Sequence, residues 1–453
     1  MESTSKKQLS IAAKLGYGSG ELGATLMWST LAFLLLNFLT DQVGLAAALA
    51  GVALMVGKIL DAVSDVYVGY LSDKTRTRWG RRRPWFFFGS VPLGLAFVLM
   101  FTNPGWQGEI PLFIWAVVAY NILCTAFTIV NIPYIAMVPE LTKDFHERTN
   151  VNAYRSIFSV IGTLLGAGVA LPIILIFNDK NTGYMVMAAI FGGVMIISAL
   201  IPFFSTKEPP LPDKVEKRSL FSSYAVAIKN KSYLAVVIPW ALNTAGITIA
   251  TATLIYYFKY VFGDEKLLSV ALLALLVTAM IFLPVSVAVS KKLGKRNTYI
   301  FGMLITAMAL ITLFFIGHLF SVYVVYACMF FAGIGLSTHF VMPWSMLPDV
   351  VEYDYSIHGL RRDGLFYGVW NFMSKIGAAL AGIVTGSILA LFGYLPNVAQ
   401  TEVSMLGIRI LIGPAAALFF ILAGIILAFY PIDQARYESI MDRIKTMEGE
   451  KSA

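Results

Sequence analysis

The chain has 453 residues, 58% of them hydrophobic and only 13% charged, whereas a soluble globular chain carries about a quarter charged residues. That balance excludes an ordinary soluble domain and places long apolar runs in lipid. The formal net charge of +8 suits cytoplasmic loops rich in Lys and Arg, and the sequence offers no disulfide framework or metal-ligand spacing around Cys124 and Cys328.

The N-terminus, MESTSKKQLSIAAKLGYGSGELG, is polar and basic. No short apolar core with a small-residue cleavage site follows it, so it reads as a retained cytoplasmic tail. A spanning helix needs ~20 mostly apolar residues. That rule predicts twelve spans, over 13–38, 45–71, 85–103, 110–137, 152–177, 183–204, 233–260, 268–289, 297–317, 320–346, 366–393 and 406–430. Basic residues cluster after spans 2, 4, 6, 8 and 10: Lys74, Arg76, Arg78 and Arg81 to Arg83, then Lys143 and Arg148, then Lys207 to Lys231, then Lys291 to Arg296, then Arg361 and Arg362. The opposite side has only Lys180, Lys259, Lys266 and Arg409. The positive-inside rule therefore predicts a multi-pass protein of the cytoplasmic (inner) membrane with both termini cytoplasmic.

The charged, Pro-containing stretch 205–232 divides the chain into a first half, 1–204, and a second, 233–430, followed by a cytoplasmic tail, 431–453. The halves echo each other. SDKTRTRWGRRRP after span 2 corresponds to SKKLGKRNT after span 8, and PYIAMVPE in span 4 to PWSMLPD in span 10. The expected fold class is an all-α membrane protein, twelve transmembrane helices in two six-helix halves, the major-facilitator architecture.

Span 2, LDAVSDVYVGYLSDK, carries Asp61 and Asp65 at i, i+4, on one helix face, with Lys58 a turn earlier. A charge at the bilayer centre costs ~2.5–3.5 kcal/mol on insertion scales. Two adjacent acids leave one in need of a positive charge, which a cation or proton supplies. The bland alternative is a structural ion pair of Lys58 with Asp61. Span 4 adds Thr128 and Asn131, either oxygen ligands for a cation, hydrogen bonds for a polar substrate, or helix–helix glue.

Glu21 is a further intramembrane acid in span 1, and Lys375 lies deep in span 11, in GVWNFMSKIGAALAG. The Asp pair is the expected partner of Lys375. Arg155 opens span 5, where it either donates to substrate hydroxyls, closes a gate or anchors the interface. Tyr17, Trp28, Phe340, Trp344 and Trp370 are candidates to stack on a sugar ring. The small-residue stripe GTLLGAG in span 5 reads as helix packing. The arginine burst TRTRWGRRRP is both a positive-inside clamp and a candidate cytoplasmic gate. The expected gate set is Arg81, Arg82, Glu140, Arg148, Asp349 and Arg361. Nucleic acid is not an expected partner, because the burst is a short loop tied to two spans. No P-loop, HExxH, GxSxG or paired His–nucleophile arrangement is present, so no enzyme is expected.

These motifs resemble a known family. LDAVSDVYVGYLSDKTRTRWGRRRPW is similar to the span 2 to loop signature of the glycoside-pentoside-hexuronide:cation symporters, and GLFYGVWNFMSKIGAALAG and GYLPNVAQ resemble it too. The likeness runs from about residue 12 to 430. It implies that Asp61, Asp65 and Thr128 bind the coupling cation (Na⁺, Li⁺ or H⁺), that Lys375 sits between cation and sugar, and that Arg155 contacts sugar. The chain departs from the melibiose permeases of that family at four positions. Thr25 stands for an acid in span 1, Asn131 for the galactoside-binding acid, and Ile135 and Phe340 for two tryptophans. Glu21, one turn from Thr25, is a candidate replacement for the missing acid.

The expected activity is cation-coupled symport of a sugar or glycoside by alternating access, without a cofactor, in a protein functional as a monomer in the bilayer. The coupling ion is Na⁺ or H⁺, with no further metal. Asn131 counts with the cation ligands as well as with the substrate-binding residues, which are Arg155, Lys375, Thr25, Glu21, Phe340, Trp370 and Tyr17. The rival expectation is a proton-coupled carrier of another organic solute or a lysolipid on the same scaffold.

Overall fold

A computed structural model describes residues 9–141, 145–206, 208, 230–317, 319, 321–359 and 363–452. Within these ranges it leaves out the side chains of 66, 70, 73, 138–140, 145–149, 153, 363–364 and 448–452. Eleven helices among the described residues are long and apolar enough to cross a membrane.

The expected first span is not one regular helix. It consists of α1 (Ile11–Gly18), α2 (Gly20–Thr30) and two π-helical turns, Leu31–Leu35 and Phe38–Gln42. The run GYGSG explains the first break: glycine disfavours the helix interior, and the Ser19 hydroxyl donates back to the Gly16 carbonyl at 2.9 Å. Then follow α3 (Ala47–Lys74), α4 (Arg83–Met100), α5 (Glu109–Leu141), α6 (Phe145–Leu164), α7 (Ala170–Leu175) and α8 (Lys180–Ser205). The second set is α9 (Lys231–Tyr256), α10 (Leu267–Leu293), α11 (Lys295–Ile316), α12 (Val322–His358), α13 (Asp363–Leu391), α14 (Glu402–Ile410) and α15 (Ala416–Leu427). The expected tail contains a further helix, α16 (Gln434–Ser452). It buries Ile440 and Ile444 and packs on α12.

The chain forms two compact units, Met1–Val215 with Leu395–Val398, and Glu216–Tyr394 with Ala399–Ala453. In the first, α2 packs on α6 and α8, α3 on α5, and α4 on α5 and α8. In the second, α9 packs on α13 and α15, α10 on α12, and α11 on α12 and α15. The pairings correspond one for one, so the sequence echo is a structural repeat. It extends to detail. Val43 N–H donates to the Phe38 carbonyl at 3.0 Å and Leu45 N–H to Leu39 at 2.9 Å. Phe262 and Asp264 repeat this with Tyr257 and Phe258 at 3.2 and 3.1 Å. Gly44 and Gly263 take the left-handed conformation, φ 81° and 73°, that ends each span.

Large apolar side chains such as Phe88, Leu95, Ile110, Ile281 and Phe315 are exposed, as expected of helices whose solvent is lipid. Pro92, Pro202, Pro239, Pro284, Pro343 and Pro348 lie inside helices, a placement that membrane-spanning helices tolerate better than soluble ones.

Candidate functional site

In the first unit the packing of α3 on α5 brings Asp61, Asp65 and Thr128 together. The Thr128 hydroxyl lies 2.9 Å from Asp65 Oδ1 and 3.2 Å from Asp61 Oδ1. Asp61 and Thr128 are almost wholly buried, 2% and 1% exposed. One hydroxyl proton serves one carboxylate at a time. Two carboxylates sharing it repel each other at low dielectric, and binding a proton or small cation relieves that repulsion.

Lys58, a turn before Asp61, places its ammonium 3.4 Å from the Trp28 ring centroid and 5.9 Å from that of Tyr120. Trp28 meets Phe127 edge-on at 5.3 Å. A Cβ at Gly57 would sit 2.1 Å from Tyr120 Cδ1, so glycine is what lets the tyrosine approach α3. Sequence reading missed Tyr120, which carries no signal beyond being aromatic.

A second polar group joins α2 to α6. Arg155 Nη2 and Nε donate to Glu21 Oε2 at 2.6 and 3.0 Å, and Nη1 donates to Asn152 Oδ1 at 3.1 Å. The guanidinium lies 5.1 Å from the Tyr134 ring. Both side chains of the ion pair keep partial exposure, 17% and 19%. The structure thus pairs two residues that the sequence reading named separately. It adds Asn152, one turn before Arg155 on α6, and Tyr134.

Tyr17 is buried and stacks on Tyr134 with centroids 4.6 Å apart. Tyr134 donates to the Tyr17 carbonyl at 2.8 Å, and Tyr17 donates to the Tyr134 carbonyl. The Thr25 hydroxyl donates to the Glu21 and Leu22 carbonyls of its own helix at 3.0 and 3.3 Å. Asn131 lines a small cavity of about 20 Å³ with Gly20, Ala24, Tyr134 and Ser198, room for one water molecule.

In the second unit Trp240 is sandwiched between His339 and Trp370, 4.9 Å from each, with interplanar angles of 15° and 13°. Trp344 meets Trp240 edge-on at 5.8 Å. Trp240 Nε1, Trp370 Nε1 and His339 Nδ1 are buried without a hydrogen-bond partner among the described residues. Trp370 has no exposed surface, whereas Phe340 and Trp344 are exposed. Lys375 is half-buried on α13. Trp240 and His339 were not named from sequence, because single aromatics in apolar spans are indistinguishable from core.

The arginine loop uses its backbone. The N–H groups of Arg81, Arg82 and Arg83 donate to the Glu208 carboxylate at 2.5, 2.7 and 2.6 Å. Arg83 Nη2 donates to the Phe203 carbonyl at 2.5 Å. Asp349 of α12 is held by Lys295 at 2.6 and 2.8 Å. Arg361 and the side chains of Glu140 and Arg148 lie outside the described residues.

Residues 16–434 match a family model described as MFS/sugar transport protein. The chain is 31% identical to the putative glycoside/cation symporter YagG of Escherichia coli (strain K12), over 96% of this chain and 94% of that one. It is also 31% identical to a putative sulfoquinovose importer of Salmonella typhimurium, over 96% and 93%. Among solved structures it is similar to the nucleoside transporter NupG, with a TM-score of 0.64 at 13% identity over 94% of this chain and 99% of that one.

Proposed function

The chain belongs to the MFS/sugar transport protein family, and on that premise we propose that it is a cation-coupled symporter of a sugar or glycoside, working by alternating access. It is an integral membrane transporter rather than an enzyme. The coupling ion is Na⁺ or H⁺, and the membrane is the cytoplasmic one, with both termini inside. The observation that carries the reading is the Thr128 hydroxyl held within hydrogen-bond distance of both Asp61 and Asp65. The names of the similar glycoside/cation symporter and sulfoquinovose importer support the substrate class.

In this reading the ion joins Asp61, Asp65 and Thr128 and neutralises the pair. Arg155, Asn131 and Lys375 then hydrogen-bond the sugar. The Arg155–Glu21 pair keeps the guanidinium charge-balanced before substrate arrives, so an incoming hydroxyl exchanges with an existing hydrogen bond and no charge is left bare.

The test is uptake into proteoliposomes under an imposed Na⁺ gradient or an imposed pH gradient. Wild-type protein accumulates its sugar under one of them. Asp61→Asn is expected to abolish accumulation while keeping facilitated equilibration, and gradient-driven accumulation at the wild-type level in that variant refutes the assignment.

A further inference from the structure

Lys58, Asp61 and Asp65 fall at i, i+3 and i+7 along α3, one stripe of the helix. Lys58 is half-buried, and its ammonium lies on the face of Trp28, 3.4 Å from the ring centroid. Tyr120 of α5 is a second ring near it, at 5.9 Å. Two contacts fix these rings. Phe127 meets Trp28 edge-on at 5.3 Å, and Phe127 directly precedes Thr128 on α5. Glycine at 57 admits Tyr120, whose Cδ1 would lie 2.1 Å from a Cβ there. The packing of α3 on α5 thus builds both the ammonium pocket and the Asp61–Asp65–Thr128 cluster, and α2 adds Trp28.

Two cations therefore concern one pair of acids. A lysine reaches an acid three residues along its helix, so the Lys58 ammonium is a tethered rival of the coupling ion for Asp61. Among aromatic faces indole attracts a cation most strongly, and the attraction grows where water is excluded. The Trp28 face gives the ammonium a compensated position that leaves the carboxylates to another cation.

We propose that Trp28 is a positioning residue that sets the affinity for Na⁺ as the coupling ion. It holds Lys58 in a parked position, which lowers the cost of handing Asp61 and Asp65 to the ion. Trp28 thereby leaves the set of sugar-stacking candidates, because the ammonium takes a face of its ring. This role rests on the symport reading of Asp61, Asp65 and Thr128.

The purified full chain is titrated with Na⁺ at fixed pH, with K⁺ replacing it to hold the ionic strength, and thermal unfolding is the readout. Trp28→Leu is expected to raise the half-saturating Na⁺ concentration roughly tenfold, and Trp28→Phe, which keeps a weaker ring face, about threefold. In a Lys58→Gln background neither change is expected to move the midpoint further, because no ammonium is left to park. A midpoint unmoved by both Trp28 variants overturns the role, and so does the same rise with Lys58→Gln present, which would mark Trp28 as packing. If Trp28→Leu does not fold, Trp28→Phe alone and with Lys58→Gln decides. Asp61→Asn separates the two readings. Na⁺ stabilisation lost in Asp61→Asn but unmoved by the Trp28 variants sinks only the Trp28 role. A wild-type midpoint in Asp61→Asn overturns the ion site itself. Wild-type protein that Na⁺ does not stabilise overturns the Trp28 role and leaves symport to protons.

Discussion

Thr128 carries more of the proposed chemistry than its size suggests. Its hydroxyl lies within hydrogen-bond distance of two carboxylates, Asp61 and Asp65, so its one proton can orient either of them while an oxygen lone pair turns to a bound cation. Thr128→Ala is therefore expected to weaken the cation about tenfold, roughly 1.4 kcal/mol, and Thr128→Ser to stay within about threefold. The measurement is the cation concentration that half-saturates sugar-dependent thermal stabilisation. Equal values in all three proteins would remove the hydroxyl from the site. Asp61 and Asp65 were legible in the sequence because two acids at i, i+4 in an apolar helix are costly unless a cation or proton joins them. Thr128 was legible as a hydroxyl in the otherwise apolar span 4. The partner of Arg155 was not, since 134 residues separate it from Glu21.

Helix packing in both units depends on glycine meeting backbone or a threonine hydroxyl. The stripe GTLLGAG behaves as its composition predicts: a Cβ at Gly162 would lie 2.4 Å from the Leu22 carbonyl, and one at Gly166 2.7 Å from that of Leu26. Between α11 and α12 the contact is reciprocal. A Cβ at Gly302 would lie 2.0 Å from Thr338 Oγ1, and one at Gly335 2.1 Å from Thr306 Oγ1. Gly302→Ala is expected to destabilise the protein by about 1–3 kcal/mol, the cost of overpacking. Adding Thr338→Ala should restore most of the loss, because the two sites share one space. Thermal unfolding of the single and double variants checks this, and a double variant no better than the single would place the strain elsewhere. The π-helical turns that end the first span, Phe38–Gln42, and the seventh, Tyr257–Val261, are elements the sequence did not announce. Their extra residue per turn is set by how neighbouring helices pack, not by local propensity.

Two units with the same helix pairings supply the scaffold that alternating access requires. On the proposed symport, coupling between ion and sugar is reciprocal. If Na⁺ tightens sugar binding tenfold, sugar must tighten Na⁺ tenfold, and calorimetric titrations in both orders should agree. Factors that differ beyond error would show that the two ligands do not share one binding-competent state. One charge moved through 100 mV supplies ~2.3 kcal/mol, enough for roughly 50-fold accumulation of a neutral sugar.

Hydrophobic runs, basic loops and the internal echo by themselves determined a helical membrane chain built as two related halves, because lipid leaves the backbone few other solutions. The intramembrane charges were equally visible, since apolar surroundings make each one costly. Which of them meet was decided only in three dimensions. Glu21 finds Arg155, Glu208 finds the N–H groups of the arginine loop, and Trp240 stacks between His339 and Trp370. These are contacts between segments far apart in sequence. Periodicity fixes which face a side chain occupies, but only packing fixes what that face meets.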